Sequence, residues 1–264
     1  MTIDSPDGSD LQSAVSVERV FAPSPSLGPK RDGGGPAYEV KFLLEEELAA
    51  DVERWARNHL APDQFANPAL GGAYRTTSLY TDTPQADVYF RSPRYKRRKF
   101  RVRRYGGEGW VFLERKNKAG DRVAKRRERV PVGDLQLLSP PQSAADWAGT
   151  WFHQRLFARQ LRPACLVGYE RTAYHGGGDE GPLRLTMDRN VRGLPWDRWE
   201  FEPLVGGKPL FGDRVILELK FRLALPGPFK KLVADMGLQA GPVSKYRACR
   251  ETFGVPLRRH EGEA

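Results

Sequence analysis

The sequence is poor in the residues that build metal centres and disulfide frameworks. Only two of its 264 residues are cysteines, Cys165 and Cys249, and only four are histidines. The two cysteines have no partner at metal-ligand spacing, and a single pair in a chain of this length does not establish a disulfide framework. We therefore expect two buried, reduced thiols and no histidine-based metal site or catalytic histidine.

Long apolar runs are also missing. No stretch approaches the roughly 18 consecutive apolar residues of a membrane-spanning helix. The sequence starts with MTIDSPDGSD, which is acidic where a secretion signal would be basic. These features predict a cytoplasmic protein without a membrane span, and they leave open whether it docks on a membrane partner.

Acidic residues are outnumbered by basic ones. The chain has 43 Lys and Arg residues against 33 Asp and Glu residues, which gives a formal net charge of +10. Such an excess favours an acidic partner: nucleic acid, an anionic lipid, or a phosphorylated small molecule or polymer. Charge alone does not select one of these classes.

Composition divides the chain into three segments. Residues 1–36 are rich in Pro, Gly and Ser and lack sustained apolar periodicity, so we predict a disordered leader. Residues 37–255 carry the patterns of regular structure and form the predicted domain. Residues 256–264 are predicted to be a flexible tail.

Strand-like segments outnumber helical ones in the predicted domain. The stretch KFRVRRYGGEGWVFLERK (99–116) indicates two strands around a glycine turn. Its YGGEGW joins two strands, where a nucleotide-binding glycine loop would open a helix, so we interpret it as a turn. Further strands are predicted at 37–44, 74–83, 121–130, 165–174, 183–188 and 214–223, with a short separate element at 190–194, and helices are predicted at 45–60, 150–161, 229–237 and 244–254.

Several of these strands alternate between apolar and charged residues. In VILELKF (215–221) the odd-numbered positions are apolar, whereas positions 218 and 220 are Glu and Lys. An antiparallel sheet with one solvated face gives the same alternation. However, strand after strand places Arg or Lys on the polar face, and such like charges repel one another unless an anion lies among them. Closure into a barrel, with helices over the apolar face, would turn the charges inward and remove exposed edges.

Nine short motifs carry a family resemblance. YEVKFLL, TSLYTDT, KFRVRRYG, FLERK, VAKRRE, YERTAY, LRLTMD, LELKF and VSKYR follow in that order between residues 37 and 252. Together they resemble the VTC domain, the polyphosphate-polymerase branch of the triphosphate tunnel metalloenzymes. The resemblance implies an α+β fold in which an antiparallel eight-stranded β-barrel tunnel, surrounded by helices, binds the triphosphate of ATP and a divalent metal, Mn²⁺ or Mg²⁺.

The resemblance also implies an activity, its partners and the residues involved. VTC members transfer the γ-phosphoryl group of ATP to a growing polyphosphate chain, so we expect ATP and inorganic polyphosphate as partners and no nucleic acid. By motif, the expected catalytic residues are Lys41, Arg101, Arg103, Lys116, Arg171 and Glu218, of which Glu218 would carry the metal. The expected phosphate-binding residues are Lys41, Arg101, Arg103, Lys116, Lys125, Tyr169, Arg171, Arg184, Ser244 and Lys245.

One position departs from the related hydrolase and cyclase branches, whose first strand begins with E-x-E-x-K. Here the first of these positions is Ala37, which leaves only Glu39 and Lys41. The departure weakens the case for a two-metal hydrolase and suits the VTC pattern.

Simpler interpretations remain for some residues. Tyr169 could be a core aromatic residue. The run KRRKFRVRR (96–104) would by itself suit a nucleic-acid patch, although its alternation within a strand argues against this. Lys220 and Glu114 could form internal ion pairs, and we expect Lys99, Arg104, Arg115 and Arg126 to be solvated.

Two other functions stay open from the sequence. The first is a triphosphatase acting on tripolyphosphate, nucleoside triphosphates or the 5′-triphosphate end of RNA, with Glu39, Glu114 or Glu218 activating water. The second is a module that binds polyphosphate without turnover.

Overall fold

Eight antiparallel strands close into a ring. The computed structural model describes residues 37–119, 122–139, 147–177 and 181–255, so the predicted leader and tail lie outside the described residues. The strands are β1 (Ala37–Leu44), β2 (Ala61–Pro62), β3 (Tyr74–Asp82), β4 (Arg98–Tyr105), β5 (Trp110–Ala119), β6 (Arg122–Pro131), β7 (Arg162–Gly176), β8 (Leu183–Pro195), β9 (Lys208–Pro209) and β10 (Val215–Phe221). The ring runs β7-β3-β4-β5-β6-β1-β10-β8, and pairing of β8 with β7 closes it. This confirms the eight-stranded antiparallel barrel that the family resemblance implies.

The remaining elements lie around the barrel. The α-helices are α1 (Glu46–His59), α2 (Asp87–Phe90), α3 (Thr150–Phe157), α4 (Gly227–Asp235) and α5 (Lys245–Thr252), and short 3-10 helices span Pro68–Leu70 and Val132–Leu138. Among the residues that the structure describes, no helix has both the length and the apolar character needed to cross a membrane.

The apolar core lies outside the barrel, between the strands and the helices. On the outer face of β10, Leu217 and Leu219 pack with Val52 of α1 and with Phe229 and Leu232 of α4. On the opposite side, a second cluster joins the outer faces of β4, β5 and β7 to α3 and α5. Because the apolar side chains point outward under helices, the alternation of each strand leaves its charged side chains pointing inward.

The strand β8 differs from its prediction. The sequence suggests that LRLTMD ends at 188 and that 190–194 is separate, but a single strand runs through Leu183–Pro195. Asn190 lies at φ +52°, a left-handed conformation that Asn tolerates, within a register shift opposite Tyr169. A bulge therefore continues the pairing where the sequence suggests a break.

The backbone pairing between β1 and β6 is short. Among the described residues, backbone pairing joins these strands only at Ala37 with Val123 and at Tyr38 with Arg122. Farther along, Lys116 of β5 reaches Glu39 of β1 across the interior, with 2.6 Å between Nζ and Oε2. A side-chain ion pair thus links β5 to β1 where the backbone pairing between β1 and β6 is short.

Two local predictions are confirmed. YGGEGW forms the β4–β5 turn, with Gly106 at φ +51°, where a side chain would be strained. Cys165 and Cys249 are both buried and free.

Candidate functional site

The barrel interior is lined by rows of charged residues that the strand register places side by side. Arg101 of β4 faces Glu114 of β5, which in turn faces Arg127 of β6. In the adjoining row, Lys99, Lys116 and Lys125 lie next to one another on the same three strands. Because these three lysines are direct neighbours in the register, their like charges repel one another.

Glu114 is the centre of the first charge cluster. Its side chain is buried, and its Oε2 accepts a hydrogen bond from Nε of Arg101 at 2.7 Å and lies 2.7 Å from Nη2 of the same guanidinium group. Oε1 lies 2.8 Å from Nζ of Lys125 and 3.4 Å from Nε of Arg127. Burial alone would raise the pKa of Glu114, but the surrounding cations hold it well below its usual range. Glu114 is therefore a buried anion that holds three cations in place, as one of the sequence interpretations suggests.

A second cluster lies where β1 meets β10. Lys41 Nζ is 3.3 Å from Oε2 of Glu218, and Lys220 Nζ is 3.1 Å from Oε1 of Glu39 and 4.0 Å from Oε1 of Glu218. Lys41, Lys116 and Lys220 hold the pKa of Glu218 well below its usual range despite burial. Burial, with repulsion from Lys41 and Lys220, lowers the pKa of Lys116 to about 7 in spite of attraction by Glu218 and Glu39.

The third cluster joins β7, β8 and the start of α5. Arg171 donates to both carboxylate oxygens of Asp188, at 2.6 and 2.8 Å, and Lys245 Nζ lies 2.5 Å from Oδ2 of the same carboxylate. The ring centroid of Tyr169 is 5.2 Å from the Arg171 guanidinium carbon and 4.5 Å from Nζ of Lys245. Its hydroxyl is buried and has no hydrogen-bond partner among the described residues.

Two more basic residues connect these clusters. Arg103 is buried, donates from Nε to Ser78 Oγ at 3.1 Å and lies 6.0 Å from the Tyr169 ring centroid. Lys99 donates to Oγ of Ser244 at 3.2 Å, and Ser244 is the N-cap of α5. Burial, followed by repulsion from neighbouring cations, lowers the pKa of Lys99 to about 8.

The prediction that Lys99 is solvated is therefore wrong. Lys99 occupies the same alternating face of β4 as Arg101 and Arg103, so its position in the strand carried the signal. In contrast, Arg98 points out of the barrel, where it lines a surface pocket together with Arg94, Arg155 and Arg159. The run KRRKFRVRR is thus divided between the interior and the exterior by the alternation of β4.

Arg184 lies apart from the three clusters, at one end of the barrel. Its Nη2 is 2.7 Å from Oδ2 of Asp63 and 3.4 Å from the hydroxyl of Tyr74. Its side chain is 42% exposed, compared with 12% for Arg171. Arg184 therefore lies at an entrance.

The structure places the predicted site residues on the barrel interior or at its edge near α5, except Arg184, which lies at an entrance. Sequence reasoning did not assign roles to Asp188, which anchors Arg171 and Lys245, or to Asp63, which holds Arg184. Asp188 shares the alternating face of LRLTMD with Arg184, whereas Asp63 lies in a loop, where no sequence pattern marks it.

The interior carries more positive than negative charge. The three clusters, the basic residues that connect them and the Arg184–Asp63 pair at the entrance together contain eleven basic residues and five acidic ones, a formal excess of six positive charges. The basic residues are Lys41, Lys99, Arg101, Arg103, Lys116, Lys125, Arg127, Arg171, Arg184, Lys220 and Lys245, and the acidic ones are Glu39, Asp63, Glu114, Asp188 and Glu218. An excess of this size inside a closed barrel is complementary to a multiply charged anion.

The residues present fit a divalent cation that takes most of its ligands from elsewhere. In the described part of the chain, no group of three or more His, Cys, Asp or Glu residues is arranged to hold a metal. Glu218 offers a carboxylate, and opposite it on β8 lies Thr186, whose buried hydroxyl has no hydrogen-bond partner within the described ranges. Oxygen donors of this kind suit Mg²⁺ or Mn²⁺, which keep waters and bind phosphate oxygens.

Comparisons with known proteins find a matching family model and similar solved structures. A family model of the VTC domain matches residues 36–253, and no curated protein matches the chain. Among solved structures, a putative adenylyl cyclase from Hippeastrum, described as having a dominant triphosphatase activity, is 14% identical, covers 86% of this chain and 100% of its own, and superposes with a TM-score of 0.50. A putative adenylate cyclase from Bacillus halodurans is 10% identical, covers 78% of this chain and 92% of its own, with a TM-score of 0.47.

These matches bear on fold and on family in different ways. At 14% identity, the likeness to the Hippeastrum protein concerns the fold, and it agrees with the closed eight-stranded ring. The family model extends over nearly all the described residues, including the three charge clusters. The chain therefore belongs to the VTC domain family, with a triphosphate tunnel fold.

Proposed function

We propose that this protein is a metal-dependent polyphosphate polymerase that transfers the γ-phosphoryl group of ATP to a growing polyphosphate chain. The observation that carries the proposal is the formal excess of six positive charges on the inner wall of a closed barrel. Membership of the VTC domain family supports a triphosphate-related role for that wall. A chain of phosphoryl groups combines high charge density with an elongated shape, and the interior is complementary to both.

The arginines would position the triphosphate. Arg101 and Arg171 already present forked N–H donors to the carboxylates of Glu114 and Asp188, and phosphate oxygens accept the same geometry. The carboxylates keep the guanidinium groups oriented before substrate binds. Because the side chains are held in advance, less conformational entropy is lost when the phosphates arrive.

The lysines would supply compact positive charge that increases when the substrate binds. Burial depresses the pKa of Lys116 to about 7 and that of Lys245 to about 8. A bound polyanion stabilises the ammonium form of each, so these lysines take up protons as the substrate binds. The interior therefore becomes more positive when it is filled.

The transfer itself needs no general base. An oxygen of the terminal phosphate of the growing chain, already anionic, forms a bond to the γ-phosphorus, while the bond from that phosphorus to the β–γ bridging oxygen breaks and ADP leaves. Arg101, Arg103 and Arg171 would hold the reacting oxygens in line and neutralise their charge, which supplies most of the catalysis in phosphoryl transfer. A divalent cation held by Glu218 and by phosphate oxygens would neutralise further charge on the triphosphate.

The alternative on the same fold is a triphosphatase. The Hippeastrum protein, which shares the fold, is described as having a dominant triphosphatase activity. Hydrolysis requires a base that activates water. The pKa values of Glu114 and Glu218 lie well below the usual range, and that of Glu39 is also lowered, so each of these carboxylates is a weak base. This observation favours transfer to an anionic phosphate over attack by water.

Product analysis separates the candidate functions. The purified protein is incubated with ATP and Mn²⁺ or Mg²⁺, polyphosphate is resolved by gel electrophoresis, and free phosphate and ADP are measured in the same samples. A ladder of long polyanions with matching ADP is the expected result. Free phosphate without a ladder would indicate the triphosphatase. If neither product forms, the remaining candidate is a module that binds polyphosphate without turnover.

A further inference from the structure

One entrance of the barrel is rimmed by aromatic side chains. Tyr74 begins β3, Tyr105 ends β4, and Trp110 and Phe112 lie at the start of β5, so the antiparallel order brings all four to the same end. Phe65 joins them from the loop after β2. We call these five residues the aromatic mouth. Arg184 lies at this end as well, since it contacts Tyr74.

Four of the five rings contact one another in a defined arrangement, whereas Trp110 lies against the guanidinium group of Arg129. The rings of Phe65 and Tyr105 are parallel within 5°, with centroids 6.5 Å apart. Tyr74 meets both edge-on, at 6.3 and 6.0 Å, and Tyr105 meets Phe112 edge-on at 5.5 Å. Tyr105 therefore contacts three neighbouring rings.

Phe65 is exposed although its loop is firmly held. Asp63 accepts a hydrogen bond from the backbone N–H of Phe65 at 3.0 Å, and its other carboxylate oxygen binds Arg184. The backbone N–H of Asp63 donates to the carbonyl of Ala173 on β7 at 2.8 Å. Phe65 nevertheless stays 47% exposed and Trp110 43%. A cluster that only sealed the barrel end would bury these rings, so their open surfaces fit a flat ligand better.

The mouth lies directly beside the cations of the interior. The guanidinium carbon of Arg103 is 6.0 Å from the Tyr105 ring centroid, and that of Arg127 is 5.4 Å from Tyr105 and 3.4 Å from Phe112. A ligand with phosphates on Arg103 and Arg127 would therefore extend any aromatic end group into the mouth. A nucleoside triphosphate has this form, with a charged chain at one end and a planar base at the other.

We propose that the aromatic mouth binds the nucleobase of a nucleoside triphosphate by stacking, with Phe65 as its exposed platform. This inference rests on the proposed function, because it assumes a triphosphate in the interior. Stacking on aromatic rings tolerates any base, since every base presents a π face. The mouth therefore selects nucleoside triphosphates over inorganic tripolyphosphate without selecting one base.

The experiment compares two ligands that differ in the base. Dissociation constants of ATP and of inorganic tripolyphosphate, each with Mg²⁺, are measured by calorimetry on the full chain and on Phe65→Ala. The expected result is a loss of about tenfold or more in ATP affinity, with tripolyphosphate binding unchanged within about twofold. Phe65→Tyr, which keeps the ring, should retain ATP affinity, whereas Phe65→Leu, which keeps only apolar volume, should lose most of it.

The outcomes distinguish the two proposals. Tight binding of tripolyphosphate with no ATP-specific loss in Phe65→Ala overturns the nucleobase site alone. Equal losses for both ligands also overturn it, because they would assign Phe65 a structural role. If the unaltered chain binds neither ligand, the proposed function fails, and the nucleobase site fails with it.

Discussion

Replacement of Glu114 by Gln tests whether the barrel is held together by its buried anion. Glu114 is 1% exposed and contacts Arg101, Lys125 and Arg127. The substitution keeps the shape of the side chain but leaves three cations without their shared counter-charge. Removing one partner from a buried ion pair costs roughly 3–5 kcal/mol.

That loss is large enough to measure by thermal unfolding. In a domain of this size, each kcal/mol lowers the midpoint by roughly 2–4 °C, so Glu114→Gln should unfold roughly 6–20 °C below the unaltered protein. Glu108→Gln is the matched control, because Glu108 lies exposed in the turn of the same hairpin. The midpoint of this control should stay within about 2 °C of that of the unaltered protein, as expected for a surface substitution.

A ligand should compensate for the lost charge. Inorganic tripolyphosphate brings negative charge to the uncompensated cations, so it should raise the midpoint of Glu114→Gln by more than that of the unaltered protein. Two results would contradict the role of Glu114 in holding these cations. The first is a midpoint of Glu114→Gln equal to that of the Glu108→Gln control. The second is a rise of the Glu114→Gln midpoint with tripolyphosphate no larger than that of the unaltered chain.

Three further outcomes follow from the site. Arg101→Gln should weaken tripolyphosphate binding by roughly 1.5–3 kcal/mol through loss of charge-assisted hydrogen bonds. The control Arg98→Gln, on the outer face of the same strand, should leave tripolyphosphate binding unchanged. Equal effects of the two substitutions in a binding titration would contradict an interior site. Glu218→Gln should abolish Mn²⁺-dependent turnover of ATP while leaving the fold intact by circular dichroism, and rates equal to those of the unaltered chain would remove Glu218 from metal binding. The folded-state pKa values of Lys116 (about 7) and Lys245 (about 8) lie below the ordinary 10.5, so the unfolded chain binds more protons between about pH 7 and 10. Urea unfolding without ligand should therefore show stability rising over that window, while tripolyphosphate affinity falls; the opposite slope for stability would contradict the depressed pKa values.

Much of the fold could be predicted from alternation along single strands. In VILELKF and KFRVRR, apolar residues lie mainly on one face and charged residues mainly on the other. This alternation fixes the faces of β10 and β4 before any neighbouring strand is known. The same rule places Lys99 inside the barrel, and the prediction failed there only because Lys99 was treated apart from its strand. The continuous strand β8 was missed because a bulge at Asn190 has no distinct signal in a single sequence.

The sequence by itself determined which residues carry charge, which strands alternate, and that their charged faces require an anion or closure, because these properties depend only on side-chain chemistry and the two-residue period of a strand. Only the tertiary structure decided which charges meet. Glu114 gathers three cations, Asp188 joins Arg171 to Lys245, and Asp63 ties Arg184 to the loop of Phe65. These contacts depend on strand register and on ring closure, which bring residues more than a hundred positions apart within hydrogen-bond distance, and no local pattern encodes such pairings.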